Sequence, residues 1–252
     1  TDMLPEFGGD TYTYTDPNQP NALTGVTHAS ATTPNGPFTT TGTDTYTVDN
    51  AGRTTTAANA TYGWNPTGTL ASATINGQTQ TRTYDADGQL ITQNDPVNGT
   101  TIYLGDTQLS IPAGSTTISG ERDYTALGRV VAVRTATEGT SGSTLTWLGT
   151  DAQGSAVIAE NSVTGGVTTR SFDPFGNPRG AGVAWSSNHT YLNQPANPLT
   201  AASATPTVLI GGRTYNPTTG RFQQPDPGLD VSDPQSVNGY AYANNSPPLA
   251  PV

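Results

Sequence analysis

One turn recurs along this sequence: an aspartate or asparagine, two residues, then glycine, each time closing a strand-like run. It stands in YTVDNAGRTTT from Tyr46 (Asp49, Gly52), YGWNPTGTLASAT from Tyr62 (Asn65, Gly68) and RTYDADGQLITQ from Arg82 (Asp85, Gly88). It returns in WLGTDAQGSAVIAE from Trp147 (Asp151, Gly154) and RSFDPFGNPRG from Arg170 (Asp173, Gly176). RDYTALGRVVAVRT from Arg122 keeps Gly128 but has Thr125 in place of the acid. A short Asp or Asn side chain accepts hydrogen bonds from backbone N–H groups two positions on, and glycine three residues later is free to turn left-handed. The pairing predicts a type I turn followed by a bulge, the connection of a β-hairpin. Alternation before the turn (Tyr46 and Val48, Tyr62 and Trp64, Arg82 and Tyr84) and after it (Leu90 and Thr92, Val131 and Val133) predicts period-two strands on both sides. A lone hairpin is marginal in water, so successive ones must pair edge to edge. The expected fold is all-β: a coiled strip of antiparallel hairpins.

Composition agrees. Of 252 residues 47 are threonine, a strand former, while 29 glycines and 20 prolines punctuate them. Hydrophobic residues make up 32%, so each strand is thinly apolar, but they are scattered evenly, unlike a disordered tail. Nineteen acids against nine arginines and no lysine give a net charge of −10, which argues against nucleic acid and against anionic membranes as partners. With no cysteine, disulfides and thiol chemistry are excluded. No apolar run approaches the roughly 20 residues of a membrane helix, so membrane insertion is not expected. The opening TDMLPEFGGD carries no signal-peptide pattern, and it and the closing SPPLAPV read as cuts within a longer polypeptide.

The tyrosine-aspartate hairpins resemble the YD repeats of Rhs proteins. IGGRTYNPTTGRFQQPDP, followed by NGYAYANNSP, resembles the Rhs repeat-associated core domain that closes such arrays, and YLGDTQLSI, WLGTDAQGSAVIAE and FDPFGNPRG resemble segments of that region. The resemblance implies a shell. In Rhs proteins, and in the similar C components of insecticidal toxin complexes and teneurins, YD repeats spiral into a hollow cocoon. It encloses a C-terminal effector, and the core domain plugs one end. In many bacterial members that domain also cuts the chain after itself by aspartyl-type autoproteolysis. Carried over by position, the family's catalytic arginine falls on Arg213 and the aspartate of its PDP motif on Asp226. The second catalytic aspartate belongs to a DPxG motif after NNxP; here NNSP spans Asn244 to Pro247 and no DPxG follows. One carboxylate cannot divide acid and base roles, so this chain is expected to be inert by itself.

Arg213 and Asp226 equally suit a salt bridge fixing the plug to the strip. Gly220 ends the turn begun at Asn216, and Arg221 after it is expected to pair locally while Phe222 buries. Asp85-Ala-Asp87-Gly88 begins like a calcium loop but lacks the remaining ligands, so a hairpin turn is expected. His28 and His189 have no partner at metal-ligand spacing, and no metal or other cofactor is expected. No serine sits in a nucleophile elbow. The matches to the N-glycan pattern at Asn59, Asn98, Asn188 and Asn244 arise freely in a chain this rich in Asn and Thr. The expected organisation is a hairpin strip over 11–179, an irregular or inward-folding connection over 180–206, and a truncated core segment over 207–252.

The functional expectation is a shell segment of a secreted or surface-displayed bacterial protein, partnered by preceding repeats of its own chain and a C-terminal effector. Two alternatives stand beside it. One is a processing domain that cleaves itself once; the other is an extracellular adhesion module that binds glycans through Trp64, Trp147 or Trp185, or assembles with itself through open strand edges.

Overall fold

The computed structural model describes residues 10–28, 42–197, 207–228, 237–245 and 247. Fifteen strands form one sheet in which each pairs with the next along the chain. They are β1 (Thr11–Thr13), β2 (Gly25–His28), β3 (Gly42–Val48), β4 (Thr54–Ala57), β5 (Ala60–Trp64), β6 (Leu70–Ile75), β7 (Gln78–Tyr84) and β8 (Leu90–Asp95). They continue as β9 (Gly99–Leu104), β10 (Thr107–Ile111), β11 (Ser119–Ala126), β12 (Arg129–Thr137), β13 (Thr144–Thr150), β14 (Ala156–Asn161) and β15 (Val167–Thr169). The expected all-β hairpin strip is the fold observed.

The recurring turn works as the side-chain chemistry dictates. At Asp85 the backbone N–H bonds to Gln89 O at 3.0 Å, and the N–H of Gly88 returns to Asp85 O at 3.2 Å. The carboxylate Oδ1 accepts from Asp87 N at 2.9 Å and from Gln89 N at 2.8 Å. Asp49, Asp151 and Asp173 repeat both side-chain bonds. Asn65 makes the same backbone pair with Thr69 and Gly68. Where Thr125 replaces the acid the turn is different: β11 runs through it to Ala126, and a two-residue turn remains, with Leu127 at φ 53° and Gly128 at φ 75°. With neither Asp nor Asn at this place, the hairpin closes tighter.

A second bulge lies beyond the turn. Thr83 pairs with Thr92 but Tyr84 with Leu90, leaving Ile91 unpaired. Thr55, Ala71, Val131 and Val157 are left over in the same way in the β3–β4, β5–β6, β11–β12 and β13–β14 pairs. The extra residue shifts the alternation by one. Leu90 therefore shares the face of Tyr84, and Thr92 that of Thr83, so these two do not lie on one face as a strict period of two predicts.

Because every connection reverses direction, alternate turns lie on opposite rims of the strip, and all the Asp/Asn-x-x-Gly turns between its strands fall on the same rim. One face carries Tyr46, Ala57, Ala60, Tyr62, Ala73 and Ile75, all buried. Along β7 to β11 the same face becomes polar, with Gln80, Arg82, Gln93, Asp95 and Gln108 buried, and it is apolar again at Val133, Leu148 and Ala159. Threonines fill the opposite face of β4 to β7, where Thr74 and Thr79 touch hydroxyl to hydroxyl at 2.8 Å.

The chain then leaves the strip. The Asp173 turn joins the two-stranded pair β16 (Ser171–Phe172) and β17 (Pro178–Arg179). A sheet of β18 (Ala196–Asn197), β19 (Thr207–Ile210), β20 (Arg213–Asn216) and β21 (Arg221–Phe222) follows, with a 3-10 turn over Tyr191–Asn193. Its core is a cluster of Tyr191, Tyr215, Phe222 and Tyr242, with Tyr191 and Tyr215 fully buried. This small unit shows that the strip is coiled. Arg221 bonds to Asn21 between β1 and β2, and Leu192 to Ser155 before β14. On a flat sheet those two places are about 60 Å apart. Here two ring-to-ring steps, Phe222 to Tyr242 at 6.1 Å and Tyr242 to Tyr191 at 6.2 Å, span most of the gap. No helix among the described residues is long and apolar enough to cross a membrane.

Candidate functional site

The C-terminal segment is a clasp across one rim. Arg221, buried, donates from Nη2 to Asn21 O at 2.7 Å and from Nη1 to the Tyr14 hydroxyl at 3.1 Å. Its guanidinium also lies 5.2 Å from the Tyr14 ring and 5.5 Å from that of Tyr240. The expectation of a local pairing for Arg221 is corrected: its partners stand some 200 residues earlier, because β21 lies against the start of the strip. Beside it Thr54 N donates to Gln223 O at 2.7 Å, and the Tyr240 hydroxyl to Gly52 O at 2.6 Å. On the Asp173 turn, which follows the strip, Tyr215 OH donates to Phe175 O at 2.8 Å, Tyr191 OH to Pro174 O at 2.6 Å and Asn177 Nδ2 to Pro217 O at 2.9 Å.

The turn glycines record where the clasp rests. A Cβ on Gly52 would stand 2.6 Å from the Tyr240 hydroxyl, and one on Gly176 2.5 Å from the Tyr191 ring. At Gly68, Gly88, Gly128 and Gly154 a Cβ would meet open space. Within the set only Gly52 and Gly176 lie so close under the clasp that a side chain would collide with it.

Arg213 and Asp226 are brought together. Arg213 Nη2 lies 3.1 Å from Asp226 Oδ2, Nη1 donates to Gly239 O at 3.2 Å, and the guanidinium covers the Phe222 ring at 3.6 Å. Burial pulls Arg213 below the usual arginine range, against the pull of Asp226. Asp226 itself is exposed; its Oδ1 accepts from Gly228 N at 2.9 Å, and its backbone N–H bonds to Gly239 O at 2.8 Å. Gly220, at φ 66°, closes the turn between β20 and β21, where Asn216 Oδ1 takes Thr218 N at 2.9 Å. Both Arg213 and the Asp226 backbone thus bond to Gly239 O, which holds that segment against β20.

A cluster that sequence spacing concealed lies on the inner face. His189 folds back onto the strip, where its Nε2 lies 2.9 Å from Asp123 Oδ2 and 3.4 Å from Glu121 Oε1. Glu121 also accepts Asn188 N at 3.1 Å and Gln108 Nε2 at 3.0 Å. Burial lifts the Glu121 carboxyl above its ordinary range against the pull of His189. Burial works against the His189 imidazolium, yet the Asp123 hydrogen bond and charge leave its pKa raised. Glu121 and Asp123 alternate on β11 and so share a face, but nothing near them in sequence points to His189. Among the described residues these three are the group able to hold a metal ion.

Asp85, Trp64 and Trp185 make structural contacts. Asp85 uses Oδ1 on its own turn. Trp64 Nε1 donates to Thr54 O at 2.7 Å, and Trp185 lies under the Arg170 guanidinium at 3.8 Å. Trp147 is half exposed on β13.

No family model matches the sequence, and no curated protein does. Solved structures do. A crystal structure of TcdB2-TccC3 superposes with a TM-score of 0.68 at 18% identity, over 96% of this chain and 13% of that one. TcdB2-TccC3 without its hypervariable C-terminal region gives 0.65 at 20% identity over 94% of this chain. The Tc holotoxin pore of Photorhabdus luminescens, with a substitution in TccC3, gives 0.67 at 19% identity over 96%. The chain thus spans about 13% of the length of the toxin-complex chains it matches. In fold this chain is like a segment of these toxin-complex chains: a coiled strip of antiparallel β-hairpins, clasped along one rim by its own C-terminal segment.

Proposed function

We propose that this chain is wall and cap of an Rhs-type shell that encloses and helps deliver an effector encoded beyond it. The observation that carries this is the clasp: one aromatic cluster joined to both ends of a fifteen-stranded rim, so that the strip curls into a wall and its rim is covered. Likeness to toxin-complex chains, one of them solved without its hypervariable C-terminal region, supports a variable cargo following the cap. Preceding repeats would extend the strip from β1, its first strand. Secretion or surface display by a bacterium follows from this reading. Electron cryomicroscopy of the chain with its flanking sequence tests it: a hollow particle with density inside is expected, and a solid particle without a cavity sinks it.

A second reading, one-time self-cleavage, is favoured by one observation, the exposed Asp226 carboxylate held 3.1 Å from Arg213. In a chain extended past a DPxG motif, Asp226→Asn should abolish cleavage; a variant cut as fast as its parent ends that reading.

A further inference from the structure

His189 presents one ring nitrogen to two carboxylates. Its Nδ1 lies 2.7 Å from Asn193 O, an acceptor only, so Nδ1 carries a proton and Nε2 is the nitrogen turned to Asp123 and Glu121. We propose that Glu121, Asp123 and His189 bind a single divalent first-row cation of the zinc type, which fastens the inward-folded His189 segment to β11.

Geometry, outer hydrogen bonds, charge and backbone conformation all favour an ion here. Ligand atoms of the three residues all lie within 4.8 Å of one another. Around a tetrahedral ion with bonds of about 2.0–2.1 Å, neighbouring ligand atoms stand roughly 3.3 Å apart. The 2.9 Å and 3.4 Å separations from Nε2 fall on either side of that, so small side-chain adjustments admit the ion. The outer hydrogen bonds are those a metal-binding set needs: a carbonyl fixes the imidazole tautomer, while Gln108 Nε2 and Asn188 N hold Glu121.

Charge points the same way. His189 is 6% exposed and the two carboxylates are 13% and 14% exposed. Two carboxylates with a protonated imidazole leave one uncompensated negative charge in a largely buried place, whereas two carboxylates, a neutral imidazole and a divalent cation sum to zero. Finally, the carbonyl that orients His189 belongs to a non-glycine residue in the left-handed region: Leu192 has φ 53° and Asn193 φ 54°. Leucine in particular enters that region against its steric preference, so the turn needs something to hold it.

The chain's other histidine provides the contrast. His28 also touches two aspartates, but Asp10 lies on Nδ1 at 2.8 Å and Asp44 on Nε2 at 3.0 Å. The two carboxylates stand on opposite edges of the ring and share no point where an ion could bind both. The sequence holds only these two histidines, which makes the test clean.

The inference does not rest on the shell reading. Zinc chloride is titrated calorimetrically into the chelator-treated chain at pH 7, with 15N spectra of the two imidazoles recorded in parallel. One zinc per chain is expected, with the His189 Nε2 resonance moving as its proton is displaced and His28 unmoved. His189→Ala and Asp123→Asn should each weaken binding at least tenfold and His28→Ala should not; magnesium and calcium chloride should bind at least tenfold more weakly, since imidazole suits the softer ions. No zinc binding, an affinity unchanged by His189→Ala, or a His189 ring that stays doubly protonated at equimolar zinc would overturn the site and leave an imidazolium seat only. If His189→Ala does not fold, the wild-type spectra and Glu121→Gln decide the matter.

Discussion

Arg221 donates from Nη2 to the carbonyl of Asn21 at 2.7 Å, joining the last strand of the small sheet to the first loop of the strip across 200 residues of chain. The guanidinium serves two acceptors and two aromatic rings at once. Lysine has no planar fork for this, so the swap is not conservative. Arg221→Lys should therefore cost about 2–3 kcal/mol, the worth of charge-assisted hydrogen bonds left unmade in a buried place. Urea unfolding reads the loss, and amide exchange should speed up first in residues 207–228 and in the β1–β2 loop. Exchange that stays slow there would mean the clasp is held elsewhere.

Gly52 and Gly88 separate turn strain from docking. Both have φ 79°, so alanine at either meets the same left-handed penalty of about 1–2 kcal/mol. At Gly88 the new methyl enters open space, while at Gly52 it stands 2.6 Å from the Tyr240 hydroxyl and 2.9 Å from Gln19 Oε1. Gly88→Ala should cost only the strain. Gly52→Ala should cost more and detach Tyr240, whose bond to Gly52 O would be lost. Equal losses in stability for the two variants would refute the assignment of Gly52 as a seat.

Most of the strip was legible in the sequence because its cause is local. Asp, two residues and Gly carry their own hydrogen-bond geometry, and Asp49, Asp85, Asp151 and Asp173 all fold the same way in different surroundings. What stayed hidden depends on contacts between distant parts of the chain. Nothing near Arg221 announces Asn21, and nothing near His189 announces Glu121 and Asp123; coiling the strip creates both meetings. The bulges at Ile91 and Val131 were hidden for another reason. They leave no residue-type signature in a threonine-rich strand, yet each moves the following side chains to the other face.

Both histidines tie stability to pH with one sign. At His28 burial works against the charged ring, but its hydrogen bonds to Asp44 and Asp10 leave its pKa raised, and His189 is raised in like manner by Asp123. A group with a raised folded pKa stabilises fully below its unfolded value, about 6.5 for histidine, and the contribution fades as pH rises through the folded pKa. In metal-free protein the melting temperature should thus be higher at pH 6 than at pH 8.5. His28→Gln should remove part of that difference, leaving the share of His189. A slope unaltered by His28→Gln would show that the Asp10 and Asp44 contacts do not form in solution.

Leu127 offers the converse case, a position where the sequence works against the fold. It is fully exposed and occupies the first place of a two-residue turn in which it and Gly128 both have positive φ, 53° and 75°. Such type I′ turns favour Asn-Gly, because asparagine tolerates the left-handed region and a γ-branched apolar side chain gains nothing from being there. Leu127→Asn should raise stability by about 0.5–1 kcal/mol, since no buried contact is given up and strain is relieved. The gain belongs in the urea midpoint with an unchanged m-value. A loss instead would mean that Leu127 is covered by another surface, and the exposed tip would then mark a contact with a partner.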